Sequence, residues 1–274
     1  MSISILAFVL LAAITHALWN TWLKISGDRL IALATLAIGW TIVGLSLLPI
    51  VGIPGRAAWP YLFVSTFVHT SYSLTLIRAY GLADLSTTYP IARGIAPLVV
   101  AMAATIFLDA PLGKLGLFSV CLVVVGVIWL GVPAKGQRNP GLAISLITGC
   151  LIGTYTFLDG LGGQVGGSPH AYTACLLLTT SIPLFIVTGC VHRGDCISLA
   201  RPIWVKGVVA GIFSAIAFGI VIWAMSVAPM SLVAAVRESS VVFVALLGSR
   251  LLKERVRWVA VIFVFSGIVL ARLA

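Results

Sequence analysis

The chain has 274 residues, of which 61% are hydrophobic and only 9% are charged. Soluble domains carry about 25% charged residues, so a mean hydropathy of +1.16 leaves too little polar surface for a particle in water. This composition excludes a soluble or disordered chain and predicts an all-α integral membrane protein. The formal charge of +10 would favour nucleic acid in a soluble protein. Here the cations lie in short linkers, so we expect contact with membrane lipids and no nucleic-acid binding.

Ten apolar segments are separated by nine breaks that are rich in glycine, proline and charged residues. A helix needs about 20 residues to cross the hydrocarbon layer, and these runs lack the alternation of barrel strands. We therefore predict ten transmembrane helices. In chain order they cover residues 2–25, 30–51, 58–80, 85–107, 113–131, 140–160, 169–191, 203–226, 230–249 and 255–273.

The fourth and ninth segments are alike when they are aligned at an offset of 144 residues, which places Arg93 on Arg237. A charged break follows each segment, and each break leads into a final helix that carries a glycine, Gly126 or Gly267. The matching order of break and helix predicts a duplicated half. The expected repeats are residues 1–134 and 139–274.

An odd number of helices in each repeat gives the second copy the opposite orientation in the membrane. The sequence thus predicts two inverted five-helix repeats, a plan that recurs in secondary transporters. The linkers that follow helices 1, 3, 5, 7 and 9 share one side of the membrane and carry twelve Lys and Arg side chains. The other linkers and the termini carry three. Because cytoplasmic loops carry the excess of positive charge, we expect both termini outside the cytoplasm.

Two local motifs accompany this arrangement: His-Ala-Leu-Trp-Asn from His16 to Asn20, followed by Lys24, and a Leu-Lys-Glu-Arg turn from Leu252 to Arg255. Together with the ten segments they resemble the drug/metabolite transporter superfamily, and the EamA-like transporter family fits best. The resemblance covers essentially the whole chain. It implies a multi-pass carrier of the bacterial cell inner membrane, an exporter of amino acids or other metabolites. It also implies a central cavity lined by helices 1, 3, 4, 6, 8 and 9.

Three ionisable residues are predicted at membrane depth, where each costs at least ~2.5–3.5 kcal/mol on insertion scales. Arg93 and Arg237 lie roughly 12–13 Å into their helices at a rise of 1.5 Å per residue. Glu238 is adjacent to Arg237 but points about 100° away on a helix, so we expect it to reach toward Arg93. Two guanidinium groups and one carboxylate would suit a carboxylate or phosphonate substrate. The alternative is a structural ion pair between helices 4 and 9.

Two histidines, His16 and His69, lie in the middle of predicted helices 1 and 3. An imidazole that gains a proton near neutral pH would suit exchange of protons as the coupling ion. A hydrogen bond to a neighbouring helix is an equally good explanation. No second metal ligand lies three or four residues after either histidine, so we predict no metal site.

Aromatic and polar side chains recur on the helices expected to line the cavity. Trp19 and Asn20 follow His16 by three and four residues and share its face, and Tyr72 shares the face of His69. We predict that the cavity lining includes Trp19, Asn20, Tyr72, Tyr89 and Tyr155. The alternative for aromatic residues is the belt at the membrane interface. To that belt we assign Trp40, Trp59, Trp129, Trp204 and Trp258.

The function predicted from these features is secondary transport, by alternating access, of a small amino acid or other carboxylated or anionic solute. The alternative is translocation of a lipid-linked sugar or another lipid, which the same superfamily includes. Sequence motifs of metalloproteases, serine hydrolases and Walker A nucleotide sites are absent, so we predict no enzyme activity, no catalytic residues and no cofactor. Small-residue pairs would allow packing within a monomer or in a homodimer.

Overall fold

The computed structural model describes residues 1–82, 85–109, 111–131, 140–244, 246 and 257–274. Within these ranges the chain is helical with short connections, and no strand occurs. The limits proposed for the two repeats, at residues 134 and 139, lie outside the described residues. The Leu-Lys-Glu-Arg turn also lies outside them.

The long helices follow the predicted segments closely. In chain order they are α1 Ile3–Ile25, α2 Arg29–Val51, α3 Trp59–Leu82, α4 Leu85–Leu108, α5 Lys114–Gly131, α6 Leu142–Val165, α7 Pro169–His192, α8 Trp204–Val227, α9 Met230–Arg237 and α10 Trp258–Leu273. A short helix, Cys196–Ala200, lies between α7 and α8, and single 3-10 turns cover Arg56–Ala58 and Arg193–Asp195.

Several helices begin where a short polar side chain satisfies the first backbone amides. The Asp28 carboxylate accepts hydrogen bonds from the backbone N–H groups of Leu30 and Ile31, each at 3.0 Å. The Ser168 hydroxyl accepts one from Ala171 at 3.2 Å at the start of α7. Such caps stabilise helix starts by about 1 kcal/mol and explain why these apolar runs begin where they do.

Six helical segments are long and apolar enough to cross a membrane, and two shorter helices, Lys114–Leu130 and Trp258–Leu273, are also apolar. Large hydrophobic side chains cover the outer surface. Among them, Ile50, Phe67 and Phe107 are more than 70% exposed. An apolar exterior of this kind needs hydrocarbon as its solvent. The chain is a multi-pass membrane protein by the length and composition of its helices.

Glycines occur where helix backbones approach most closely. A Cβ atom on Gly211 of α8 would lie 2.1 Å from the backbone oxygen of Leu36 in α2. Between α5 and α10, a Cβ on Gly126 would lie 2.7 Å from Ala260 O, and one on Gly267 would lie 2.8 Å from Ser119 O. Small residues at helix interfaces allow this close packing in membranes.

The helix pairings follow a regular pattern. α5 packs against α10 and α2 against α7, so that each of these pairs joins a helix of the first half of the chain to one of the second half. α1 packs against α8, while α6 packs against α3. α4 packs against α6, while α9 packs against α1.

α9 differs from its prediction, because the helix expected over residues 230–249 is interrupted. It ends at Arg237, the turn comprises Glu238 and Ser239, and helix resumes over residues 240–244. The backbone N–H of Glu238 bonds to Ala235 O, and that of Val241 bonds to Glu238 O, both with 3-10 spacing. Serine competes with the helix for backbone hydrogen bonds, and local 3-10 geometry often marks a functional position. The helix is therefore interrupted at the adjacent charged residues Arg237 and Glu238.

Candidate functional site

A cavity inside the helix bundle encloses about 490 Å³ of empty space, including its open mouth. Residues of α1, α2, α3, α6, α7 and α8 line it: His16, Trp19, Leu23, Leu33, Trp40, His69, Thr70, Tyr72, Ser73, Leu76, Tyr155, Thr180, Leu184 and Phe218. We call this space the aromatic cavity.

Stacked rings form much of its wall. The His69 ring lies parallel to that of Tyr155, with centroids 3.8 Å apart, and Tyr72 lies 5.3 Å from Tyr155. His16 and Trp19 meet edge to face at 4.8 Å. Trp19 and Trp40 are both buried, and within the described part of the chain neither indole N–H has a hydrogen-bond acceptor. The wall thus combines apolar ring faces with two buried indole N–H groups.

A second, smaller cavity of about 210 Å³ shares His16 and Phe218 with the aromatic cavity. Its other lining residues are Ala12, Ala217, Val221 and Arg237. Because the two spaces have two wall residues in common, they are neighbours. The Arg237 guanidinium therefore borders the space next to the aromatic cavity.

Arg237 belongs to a buried charge cluster, which we define as Arg93, Arg237 and Glu238. Arg93 Nε lies 2.8 Å from Glu238 Oε2, and Arg237 Nη2 lies 3.5 Å from Glu238 Oε1. Arg237 Nη2 also donates to Thr156 Oγ1 at 3.0 Å. All three ionisable side chains are at most 4% exposed. With two cations and one anion, the cluster carries one unit of positive charge.

Glu238 contacts both arginines, although the sequence indicates only Arg93 as its partner. The expectation that Glu238 would not neutralise Arg237 directly is wrong. The helix ends between the two residues, and the long Arg237 side chain brings its guanidinium back to the carboxylate. Arg93 lines neither of the two cavities.

A second polar cluster surrounds Asp159 of α6, which is 2% exposed. Ser65 of α3 and Tyr172 of α7 donate hydroxyl hydrogen bonds to Oδ1, the latter at 3.1 Å. Oδ2 lies 2.9 Å from His69 Nε2. We call these four residues the Asp159 cluster. It reaches the aromatic cavity through His69, which forms part of the cavity wall.

Sequence reasoning missed Asp159, because it precedes Gly160 and the glycine-rich stretch was interpreted as a break. α6 in fact continues to Val165, so Asp159 lies within a buried turn of helix. Its partner Ser65 is 94 residues away in the chain, and no local pattern indicates that contact. The one sequence feature that could have indicated Asp159 as a site residue was a carboxylate inside an apolar helix.

Most of the predicted lining residues surround the aromatic cavity. His16, Trp19, His69, Tyr72 and Tyr155 do so. Asn20 is buried beside it, and its amide donates to His16 O at 2.9 Å within α1. Tyr89 lies in α4, and its side chain lies outside the described residues.

Two expectations about the cavity need correction. Trp40 was assigned to the interfacial belt, but it is buried and lines the cavity, because α2 packs against α7 and α8. The resemblance implied lining by helices 4 and 9. Instead α2 and α7 contribute to the aromatic cavity, and α9 reaches only the smaller cavity through Arg237.

Comparison with known proteins shows similarity of fold alone. No family model matches the chain, and no curated protein matches it. Twenty-seven solved chains match its structure. One of them, a crystal structure of a protein whose function is not named, aligns with 98% of this chain and 95% of its own. The TM-score is 0.70 at 15% sequence identity, so the same fold occurs in an experimentally solved protein.

Proposed function

We propose that the chain is a secondary transporter that moves a small carboxylated or otherwise anionic metabolite across the membrane by alternating access. The observation that carries this proposal is the aromatic cavity, which takes its wall from six helices, five of which are long and apolar enough to cross a membrane. The space between the helices of a bundle is a usual location of small-molecule sites. The proposal includes membership of the EamA-like transporters and location in the bacterial inner membrane.

The helix pairings support two equivalent halves related by an inverted repeat. Exchanging each of helices α1 to α5 with the helix five places later maps several main pairings onto one another: α1 on α8 becomes α6 on α3, and α4 on α6 becomes α9 on α1. Gly126 and Gly267, the glycines noted in the final helices of the two predicted repeats, lie in the same α5–α10 interface. In transporters, such halves rock against each other around a central site.

The charge cluster supports an anionic substrate. Its surplus positive charge is on the side of Arg237, the cluster residue that borders the smaller cavity. A guanidinium binds a carboxylate or phosphonate through two parallel hydrogen bonds. The interrupted α9 supports the same assignment, because discontinuous helices form substrate sites in many transporters. We place the anionic group near Arg237 and the apolar part of the substrate against the aromatic wall.

The experiment is uptake by proteoliposomes of labelled amino acids, phosphonates and organic cations, with wild type beside Arg237→Gln. We expect saturable uptake of an anionic solute by wild type. The variant should have a raised KM for that solute, because one charge-assisted contact to the substrate is lost. Arg201→Gln is the matched control, since Arg201 is exposed in the linker before α8.

The outcome that overturns the anion site is unchanged KM for the anionic solute in a correctly folded Arg237→Gln variant. Uptake of organic cations alone would also overturn it. If no soluble solute is moved while a fluorescent lipid crosses the bilayer faster, the lipid-translocase alternative replaces the proposal.

A further inference from the structure

The Asp159 cluster has no role in the anion site, yet it places an acidic side chain deep among membrane-spanning helices. An intramembrane carboxylate is expensive and is a mark of ion or proton pathways. Three helices, α3, α6 and α7, converge on it through Ser65, His69 and Tyr172. Such convergence of polar groups needs an explanation beyond packing.

The hydrogen-bond directions define what this cluster can do. Ser65 and Tyr172 hydroxyls donate to the carboxylate, so its Oδ1 is already occupied. A carboxylate only accepts hydrogen bonds, so the 2.9 Å contact to Oδ2 requires a proton on His69 Nε2. In neutral imidazole the lone pair is then on Nδ1. The carboxylate fixes this tautomer and stabilises the cation that forms when Nδ1 is protonated, as in a catalytic triad.

The position of His69 places its ring at a cavity. Its ring forms part of the aromatic cavity wall, between Tyr155 and Phe218. Hydroxyl groups of Thr70, Ser73 and Thr180 line the same cavity. Each of these hydroxyls donates to a backbone oxygen of its own helix, which leaves its oxygen able to accept from a water molecule. Three hydroxyl oxygens that can accept from water therefore line the same, mostly apolar cavity as the histidine.

We infer that His69 and Asp159 form the proton-binding site of the transport cycle, an inference that rests on the proposed function. The proton comes from water when the cavity is open to one side, and an N–H bond forms at Nδ1. That bond breaks and the proton returns to water when the cavity is open to the other side. The pair changes from one negative charge to none and back, and no other reactant is consumed.

The surroundings of His69 set the direction of coupling. The titratable and charged groups nearest to it are Asp159 and Tyr155 of α6, Tyr172 of α7, Tyr72 of α3, and His16 of α1 across the cavity. Tyr155 is also within electrostatic reach of Arg93, Arg237 and Glu238. A proton on His69 removes a negative charge from the wall that faces the anion site. By linkage, proton and anion each favour binding of the other, so they cross together. This direction differs from the export that the resemblance implies.

The transport test compares two measurements in proteoliposomes. One is accumulation of the solute when the internal pH is higher than the external pH, and the other is exchange of solute when the two are equal. Wild type should accumulate the anionic solute under this gradient, above the level of protein-free vesicles. His69→Gln and Asp159→Asn should lose accumulation but retain exchange of labelled for unlabelled solute at equal pH. His170→Gln and Asp195→Asn are the matched controls, because both residues are exposed. Full accumulation by either cluster variant overturns the proposal. A folded variant that loses both exchange and accumulation also overturns it.

A second measurement does not depend on transport. The chain has four histidines, so nitrogen NMR of ¹⁵N-histidine-labelled protein can follow each ring individually. The resonance that disappears in His69→Gln should show an Nε2–H tautomer and should report a second proton at Nδ1 when the pH is lowered. In Asp159→Asn the same ring should lose this tautomer preference. A His69 that never titrates overturns the proton site even if transport is found. A titrating His69 in a protein that moves no solute overturns the proposed function and leaves the proton site standing.

Discussion

The two buried polar clusters stabilise a buried carboxylate in different ways. In the charge cluster, two guanidinium groups and a carboxylate neutralise one another within 2.8–3.5 Å. In the Asp159 cluster, two hydroxyls and an imidazole surround a single carboxylate with hydrogen bonds. One cluster carries a fixed positive charge, and the other gains or loses negative charge with one proton. We propose that this difference separates a site that binds an anion from a site that binds a proton.

The largest expected effect comes from breaking the ion pairs. Glu238→Gln leaves two buried guanidinium groups without their carboxylate, and removing one partner of a buried pair costs about 3–5 kcal/mol. We expect the free energy of unfolding to fall by that amount, measured by denaturant or thermal unfolding in detergent. Asp195→Asn removes an exposed carboxylate and should leave stability unchanged. Equal stability of the two variants would contradict the pairing described for the charge cluster.

We expect a smaller loss of stability in the Asp159 cluster, because several neutral donors form hydrogen bonds to its carboxylate. Tyr172→Phe removes one donor and leaves Ser65 and His69 in place. We expect a loss of about 1 kcal/mol, the size of one hydrogen bond. Tyr61→Phe, at a half-buried tyrosine of α3, is the matched control and should cost less. If Tyr172→Phe costs as much as Glu238→Gln, the proposed contrast between the clusters is wrong.

Composition and hydropathy were enough to predict the helical membrane fold, because each long apolar run has one stable structure in hydrocarbon. The sequence also indicated Arg93, Arg237 and Glu238, since an ionisable residue within an apolar run is visible, and the structure buries all three. The interruption of α9 was not predictable, because Glu238 and Ser239 are compatible with a continuous helix. It is the contact of Glu238 with Arg93 of α4 that accompanies the turn.

Long-range contacts explain the other differences. Trp40 looks like an interfacial tryptophan until α7 and α8 pack around α2. Asp159 looks like the end of a helix until Ser65 and Tyr172 are found against its carboxylate. In both cases the deciding neighbours are remote in the chain, so neither spacing nor periodicity indicates them.

The central claim is that the aromatic cavity opens alternately to the two sides of the membrane. Ser73 lines this cavity and is buried, so we would introduce Ser73→Cys into a protein whose five natural cysteines are replaced. A membrane-impermeant thiol reagent is then applied from each side in turn. Ser198→Cys, in the exposed linker, should react from one side only. We expect the cavity cysteine to be labelled from both sides. Labelling from a single side under all conditions would contradict alternating access.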